Sequence, residues 1–328
     1  MKARFIKFVV IPLLTLLFLA TMTEIALRIA FARSLDFGVE MWKYAVALKR
    51  PVANEKLGFV HAPSSRAFLM GVDVAINAQG LRDKEYSLAR PPGTYRIMIL
   101  GDSTTFGWGV TMEDTTAKIL ERELNAVGPV GRFEVINAGV GNYGTVQEVT
   151  YYTERGRAFH PDLVVLQYFI NDAEPVPRET KSFLRDRSYF IAFAISRFDG
   201  ILRVAGRRPG WQDYYASLYD EGQPGWRAAK MAFADLARQT KNEGTRLLVA
   251  LLPELHQING EYPFAREHAL VRSVLAAHGV PTLELIDGLR GHDPESSLWV
   301  TPLDDHPNAK ANGLIAAQTK RWILNDIR

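Results

Sequence analysis

Cysteine is absent from the 328 residues. That removes thiol nucleophiles, zinc–thiolate sites, disulfide frameworks and cysteine-linked lipidation, and leaves the redox compartment open. A basic excess is missing from most of the chain as well. The formal charge is +3, from 39 Lys and Arg against 36 Asp and Glu. Residues 1–34 hold Lys2, Arg4, Lys7, Arg28 and Arg33 against Glu24 alone, so residues 35–328 carry 34 basic against 35 acidic groups. With no surplus positive charge to neutralise phosphates, the body is not expected to bind nucleic acid. Internal repeats and low-complexity tracts are lacking. A hydrophobic fraction of 47% with 23% charged residues is globular composition, and this length suits one large domain or a domain with an inserted subdomain.

Long apolar runs are scarce, and the one exception stands at the N-terminus. After a basic start, Phe8 to Thr23 run sixteen residues without charge, and helical apolar spacing resumes from Ile25 to Ala30. Sixteen is short of the roughly 20 residues needed to cross a bilayer, but the following amphipathic turns extend it. Residues 1–34 are therefore expected to be an uncleaved signal anchor. A cleaved signal peptide ending near Ala30-Phe31-Ala32 is the rival, and Glu24 and Arg28 sit awkwardly before that site. The basic balance keeps the N-terminus cytoplasmic, so the body lies outside the inner membrane, in the periplasm or at the cell exterior; with cleavage it would be secreted.

Residues 35–92 form an extension of mixed pattern, in which Gly80 suggests a turn between short strands. From Pro91-Pro92-Gly93 regular alternation begins, and residues 93–328 are expected to be the main domain. Apolar runs at 95–100, 133–137, 163–169, 246–253 and 282–286 read as five strands. Helices are expected from an Asp114 cap to about Asn125, broken by Gly128-Pro129, then over 146–159, 265–278 and from Pro307 to about Asp326. Short apolar strands alternating with amphipathic helices argue for a mostly parallel sheet covered on both faces. Residues 174–226, rich in Arg and aromatics, break the rhythm and read as a helical insertion. Leaving the end of the third strand, it would overhang a site at the carboxyl edge as a lid.

Four stretches carry chemistry, none decisive alone. RIMILGDSTTFGWGV (96–110) places Ser103 at the carboxyl end of the first strand, where a nucleophile or a helix cap would sit. G-x-S-x-G is absent because Thr105 fills the last position. INAGVGNYGTVQE (136–148) presents backbone N–H groups in a turn at the second strand end. LQYFINDAE (166–174) puts Asn171, whose side-chain NH2 can bind an oxyanion, just past the third. In TPLDDHPNAKANG (301–313), Pro307 biases His306 to extended backbone. Residues two apart then share a side, so Asp304 faces the ring and Asp305 points away. Each stretch also has a bland reading as cap, turn or solvated loop. Phe106 and Trp108 are expected as cleft wall, with Tyr143 beside them at the substrate. No spacing among His292-Asp293 or Asp304-Asp305-His306 singles out a metal site.

Taken in order, GDS, a Gly/Asn turn, N-D and D-x-H-P resemble the SGNH (GDSL-type) hydrolases, in a membrane-anchored branch, over roughly residues 75–320. The resemblance implies a flavodoxin-like α/β/α sandwich and ester hydrolysis without a cofactor. Ser103 would be the nucleophile, His306 the general base and Asp304 its orienting partner. The oxyanion hole would comprise the Ser103 N–H, a turn N–H from Asn142 or its neighbour Gly141, and the Asn171 side chain. Three positions depart from the family pattern. The usual Asp-x-x-His would place the acid at Leu303, the third-block glycine is Phe169, and the second-block glycine aligns with Asn142. Anchored members often act on acyl groups of cell-surface polysaccharide. An O-acetyl ester of an exported glycan is thus the expected substrate, and an acyltransferase or a non-catalytic glycan-binding protein of the same fold are the alternatives. Trp211, Tyr214, Tyr215, Tyr219 and Trp226 could stack on sugar, though packing of the insertion onto the sheet accounts better for most of them.

Overall fold

In the computed structural model, residues 5–127, 131–177, 182 and 184–326 are described. Gly128-Pro129, Lys2, Arg4 and residues 178–181 of the insertion lie outside them. The elements run α1 (Ile11–Ala30, entered by a π-turn Ile6–Val10), α2 (Phe37–Leu48), β1 (Lys49–Pro51), β2 (Phe59–His61), β3 (Arg66–Leu69) and β4 (Val72–Ala75). Then come β5 (Thr94–Gly101), α3 (Ser103–Phe106), α4 (Thr116–Val127), β6 (Arg132–Gly139), α5 (Thr145–Glu154) and β7 (Leu163–Tyr168). Helices α6 (Tyr189–Val204), α7 (Trp211–Ser217) and α8 (Pro224–Glu243) follow. The chain ends with β8 (Arg246–Leu251), α9 (Ala265–Ala277), β9 (Thr282–Glu284), β10 (Trp299–Thr301), β11 (Asp304–Pro307) and α10 (Ala309–Asp326).

Five strands form one sheet in the order β6-β5-β7-β8-β9. Every pairing in it is parallel, so the sheet is wholly rather than mostly parallel. The apolar runs explain this. Ile97 to Leu100 on β5 and Leu163 to Leu166 on β7 are buried along their whole length, as central strands covered on both faces require. Each such side chain contributes about 1.5–3 kcal/mol by leaving water. Helix α4 packs with α10 and α5 with α8 around the sheet. The chain moves outward from β5 to β6, then returns to lay β7 on the other side of β5. That reversal is the switch point where open α/β sheets place ligands, beyond the carboxyl ends of β5 and β7.

Some local expectations fail for identifiable reasons. Asp114 does not cap α4, because it ends a 3₁₀ turn and accepts instead from Thr111 Oγ1 at 2.7 Å. The hairpin turn in the extension lies at Met70-Gly71, both at positive φ, between β3 and β4; Gly80 turns the chain after β4 instead. The helix expected over 146–159 stops at Glu154 and finishes as a 3₁₀ turn, Gly156–Phe159. Helix α2 is a segment the sequence concealed. Its buried face is Val39, Glu40, Tyr44 and Leu48, so a carboxylate interrupts the apolar stripe. Glu40 is satisfied there by the Met70 N–H at 2.9 Å and Lys43 Nζ at 2.8 Å. Tyr44 and Leu48 then join Leu69, Met70, Val74, Ile76, Phe106 and Trp108 in a second apolar cluster, which fixes the extension to the loop behind Ser103.

Candidate active site

Ser103 opens the short helix α3 directly after β5. Asp102 caps it, its Oδ1 accepting from the Thr104 N–H at 2.8 Å and Thr104 Oγ1 at 2.7 Å. Helix α3 lies so close to β6 that a Cβ on Gly139 would sit 2.3 Å from the Phe106 nitrogen; only glycine allows that approach. Gly107, at φ +84°, ends the helix in the left-handed region. Arg82, buried beneath, donates to the carbonyls of Phe106 at 3.1 Å and Val110 at 2.6 Å and also bonds that of Gly107, so the loop is tied from below.

Across the cleft, β11 is extended as Pro307 predicts. Ser103 Oγ lies 2.8 Å from His306 Nε2, and His306 Nδ1 lies 2.6 Å from Asp304 Oδ1. Burial would raise the Asp304 carboxyl. The His306 hydrogen bond and charge, the His306 N–H and the Trp108 indole together hold it below its ordinary value. An ionised carboxylate only accepts, so Nδ1 carries the proton and Nε2 is free to accept from Ser103. Burial pulls the His306 pKa down, but Asp304, Asp305 and Asp102 more than reverse this and hold it above 6.5.

Asp305 points the other way, as extended geometry requires, and lies 3.7 Å from His256 Nδ1. His256 also hydrogen-bonds Glu254, whose carboxyl burial pushes up to about 8. Donor atoms of Glu254, His256 and Asp305, and likewise of Asp304, Asp305 and His306, fall within 4.8 Å of one another. The His256–Glu254 and His306–Asp304 hydrogen bonds hold two members of each grouping together, and Asp305 lies between them.

A cavity of about 320 Å³ opens over Ser103 and His306. Asn142 and Asn171 line it, so three strand ends meet there. Asn142 stands at φ +67°, its side-chain oxygen accepts from Lys49 Nζ at 2.8 Å, and its N–H has no acceptor among the described residues. Gly141 is excluded as the alternative donor: its N–H is spent on Tyr44 Oη at 2.9 Å, and the Tyr44 ring fills the space where a Cβ would stand. Tyr44 Oη in turn donates to His61 Nε2 at 2.7 Å, and His61 Nδ1 donates to the Gly80 carbonyl at 3.2 Å. Burial, with Lys49 nearby, drops the His61 pKa to about 3 and keeps that ring neutral.

Behind the cavity, Glu148 and Asp172 are buried. Burial first, then their proximity to Asp102 and, for Asp172, to Glu148, raises both carboxyls well above the usual range.

Three residues expected at the cleft wall or the substrate are corrected. Trp108 is 2% exposed and donates its indole N–H to Asp304 Oδ2 at 3.0 Å, so it anchors the carboxylate instead of walling the cleft. Phe106 is likewise buried against Tyr44. Tyr143 is buried and donates to the Phe59 carbonyl at 2.5 Å, away from the cavity. The walls are instead Phe37 and Met41 of α2, Phe169, Glu174, Tyr215, Pro253, Leu255 and Leu303. Phe37 has its ring 5.7 Å from that of His306. An Asp36 cap, accepting from the Val39 N–H at 3.0 Å, was the signal that could have exposed α2. Of the five aromatics in the insertion, Tyr215 reaches the cavity, while Tyr219 and Trp226 are buried in packing.

A parallel sheet with a serine at its switch point, an imidazole and carboxylate opposite and paired asparagines at the strand ends defines an ester-bond hydrolase. The GDSL-like Lipase/Acylhydrolase family profile matches residues 99–314, and the chain belongs to that family. Among solved structures, a putative lipolytic G-D-S-L protein from Desulfitobacterium hafniense DCB-2 is similar at 13% identity and TM-score 0.44, over 69% of this chain and 98% of that one. The lipase/acylhydrolase from Enterococcus faecalis aligns at 17% identity and TM-score 0.44, over 71% and 96%. A two-domain esterase active on acetylated mannans aligns at 14% identity and TM-score 0.46, over 71% of this chain and 49% of that one. No curated protein matches the chain.

Proposed function

We propose that the protein is a serine esterase that removes a short acyl group, an O-acetyl, from a cell-surface glycan outside the inner membrane. The observation that carries the reading is the unbroken relay from Ser103 Oγ to His306 at 2.8 Å and from His306 to Asp304 at 2.6 Å. His306 Nε2 takes the Ser103 proton as Oγ attacks the ester carbonyl, and Asp304 stabilises the imidazolium. The Ser103 N–H, the Asn142 N–H and the Asn171 side chain receive the oxyanion. Collapse releases the sugar hydroxyl, which takes the proton from His306. Water, deprotonated by the same ring, then hydrolyses the acyl-enzyme.

Cavity size and lining support the substrate. About 320 Å³ is at the small end for ligand sites, which suits a short acyl chain against Phe37 and Met41. Glu174, Asp305 and Asn142 offer polar groups to sugar hydroxyls. Location is supported by the bare apolar helix Ile6–Ala30, whose 25 residues reach about 37 Å, enough to cross a bilayer core. Detergent-purified full chain should label with a fluorophosphonate and hydrolyse p-nitrophenyl acetate faster than longer acyl esters. It should also release acetate from acetylated polysaccharide. A preference for long acyl chains would sink the substrate reading, and no labelling with no hydrolysis would sink the mechanism.

A further inference from the structure

Beyond α1, helix α6 carries an exposed apolar surface that the hydrolase chemistry leaves unexplained. Phe190, Ile195, Phe198, Ile201 and Val204 are each more than half exposed. Phe190, Ala194, Phe198 and Ile201 follow one another at helical spacing, which makes a single stripe along the helix. A soluble domain does not leave such a stripe in water without a partner.

The start of α6 is fastened to the end of the N-terminal apolar helix. Glu24 of α1 accepts from Ser188 Oγ at 2.9 Å and from the N–H groups of Tyr189 at 2.9 Å and Phe190 at 3.1 Å. Arg28 donates to the Arg187 carbonyl at 2.7 Å, and the Phe31 and Phe193 rings meet at 5.4 Å. Trp42 packs edge-on against Tyr189 at 4.8 Å, the residue types that gather where a membrane meets water. The α6 stripe therefore begins near the depth where α1 ends, and no residue of α1 is buried by protein. Arg203, Arg207 and Arg208 follow at the far end, with Asp199 pairing two of them. Basic groups flanking an apolar stripe are the pattern of a helix lying in the headgroup layer.

We propose that α6 is an interfacial helix seated in the outer leaflet of the membrane that α1 crosses, with its Phe190–Ile201 face among the acyl chains. The proposal rests on reading residues 6–30 as the anchor. Its consequence is positional. Helix α6 packs on α2, whose Phe37 and Met41 wall the cavity, so only α2 and α6 stand between the substrate site and the leaflet. The enzyme would then act on esters presented at the membrane surface.

Because the chain has no cysteine, single-cysteine variants of the full chain can each carry one bimane label. In liposomes containing acyl-chain-brominated lipid, Phe198→Cys and Ile201→Cys should lose fluorescence, as Leu16→Cys in α1 does. Met231→Cys, exposed on α8, should not. Quenching at Leu16 with none at Phe198 or Ile201 overturns the α6 proposal and leaves the anchor standing. Quenching nowhere overturns both. Unquenched Phe198→Cys that instead forms disulfide-linked dimers assigns the face to a second copy. The readout needs no turnover, so failure of the esterase reading does not affect it.

Discussion

Ser103, Asn142 and Asn171 leave the carboxyl ends of β5, β6 and β7, whereas Phe37, Met41 and Tyr215 reach the same cavity from α2 and the insertion. The first set hangs on a parallel sheet whose strands are buried along their length. The second set rides on surface helices, and Phe37 itself is 43% exposed. Chemistry that needs placement to within tenths of an ångström sits on the sheet half; contacts that only shape the cavity sit on the helical half. The comparison separates transition-state stabilisation from ground-state binding, and substitutions in each half can break it.

The largest effect belongs to Ser103→Ala. Loss of the nucleophile should cut kcat by about 10⁴–10⁶-fold and abolish fluorophosphonate labelling while leaving the thermal melting profile close to wild type. Retained labelling would move the nucleophile elsewhere.

Next comes the loop of adjacent carboxylates. Asp304→Asn should lower kcat by about 10⁴-fold, because an amide no longer fixes the Nδ1–H tautomer. Asp305→Asn should keep kcat on p-nitrophenyl acetate near wild type, since Asp305 faces His256, and should lower the acid limb less than Asp304→Asn does. The pH profile adds a second test. Activity needs neutral His306, whose pKa lies above 6.5. The acid limb of kcat/KM should therefore fall above that pH, and Asp304→Asn should move it lower. Equal losses in the two variants would show that the two carboxylates share the role.

Asn171→Ala should reduce kcat by about 10²–10³-fold with KM little changed, as removal of one oxyanion donor does. A KM effect of that size instead would place Asn171 with the walls.

The sheet half was also the half that could be read in sequence. Uninterrupted apolar runs fixed the strands, and chemistry placed at strand ends needs no knowledge of the loops between them. The direction of Asp304 followed from the proline after His306. What could not be read depended on partners distant in the chain. Trp108 looks like cleft wall until Asp304, 196 residues away, is seen to take its N–H. Gly141 and Asn142 are indistinguishable as donors until Tyr44 claims one of them. Helix α2 was hidden because a buried Glu40 broke its stripe, and its compensating donors lie in Lys43 and on the β3–β4 turn.

The smallest effect should come from Phe37→Ala. Phe37 lies tilted against the His306 ring at 5.7 Å and packs edge-on with Trp108 at 6.1 Å, but donates and accepts nothing. Removing it opens the acyl wall without unseating the imidazole, which Asp304 still holds by both the ring and the backbone N–H. KM for p-nitrophenyl acetate should rise severalfold, kcat should hold within about a factor of three, and the acid limb should not move. Longer acyl esters, short of room in the wild type, should gain relative to acetate. If kcat instead falls as far as in Asn171→Ala, or the acid limb shifts, the helical half holds the imidazole too. The division between a chemical sheet half and a cavity-shaping helical half would then fail at its closest point of contact.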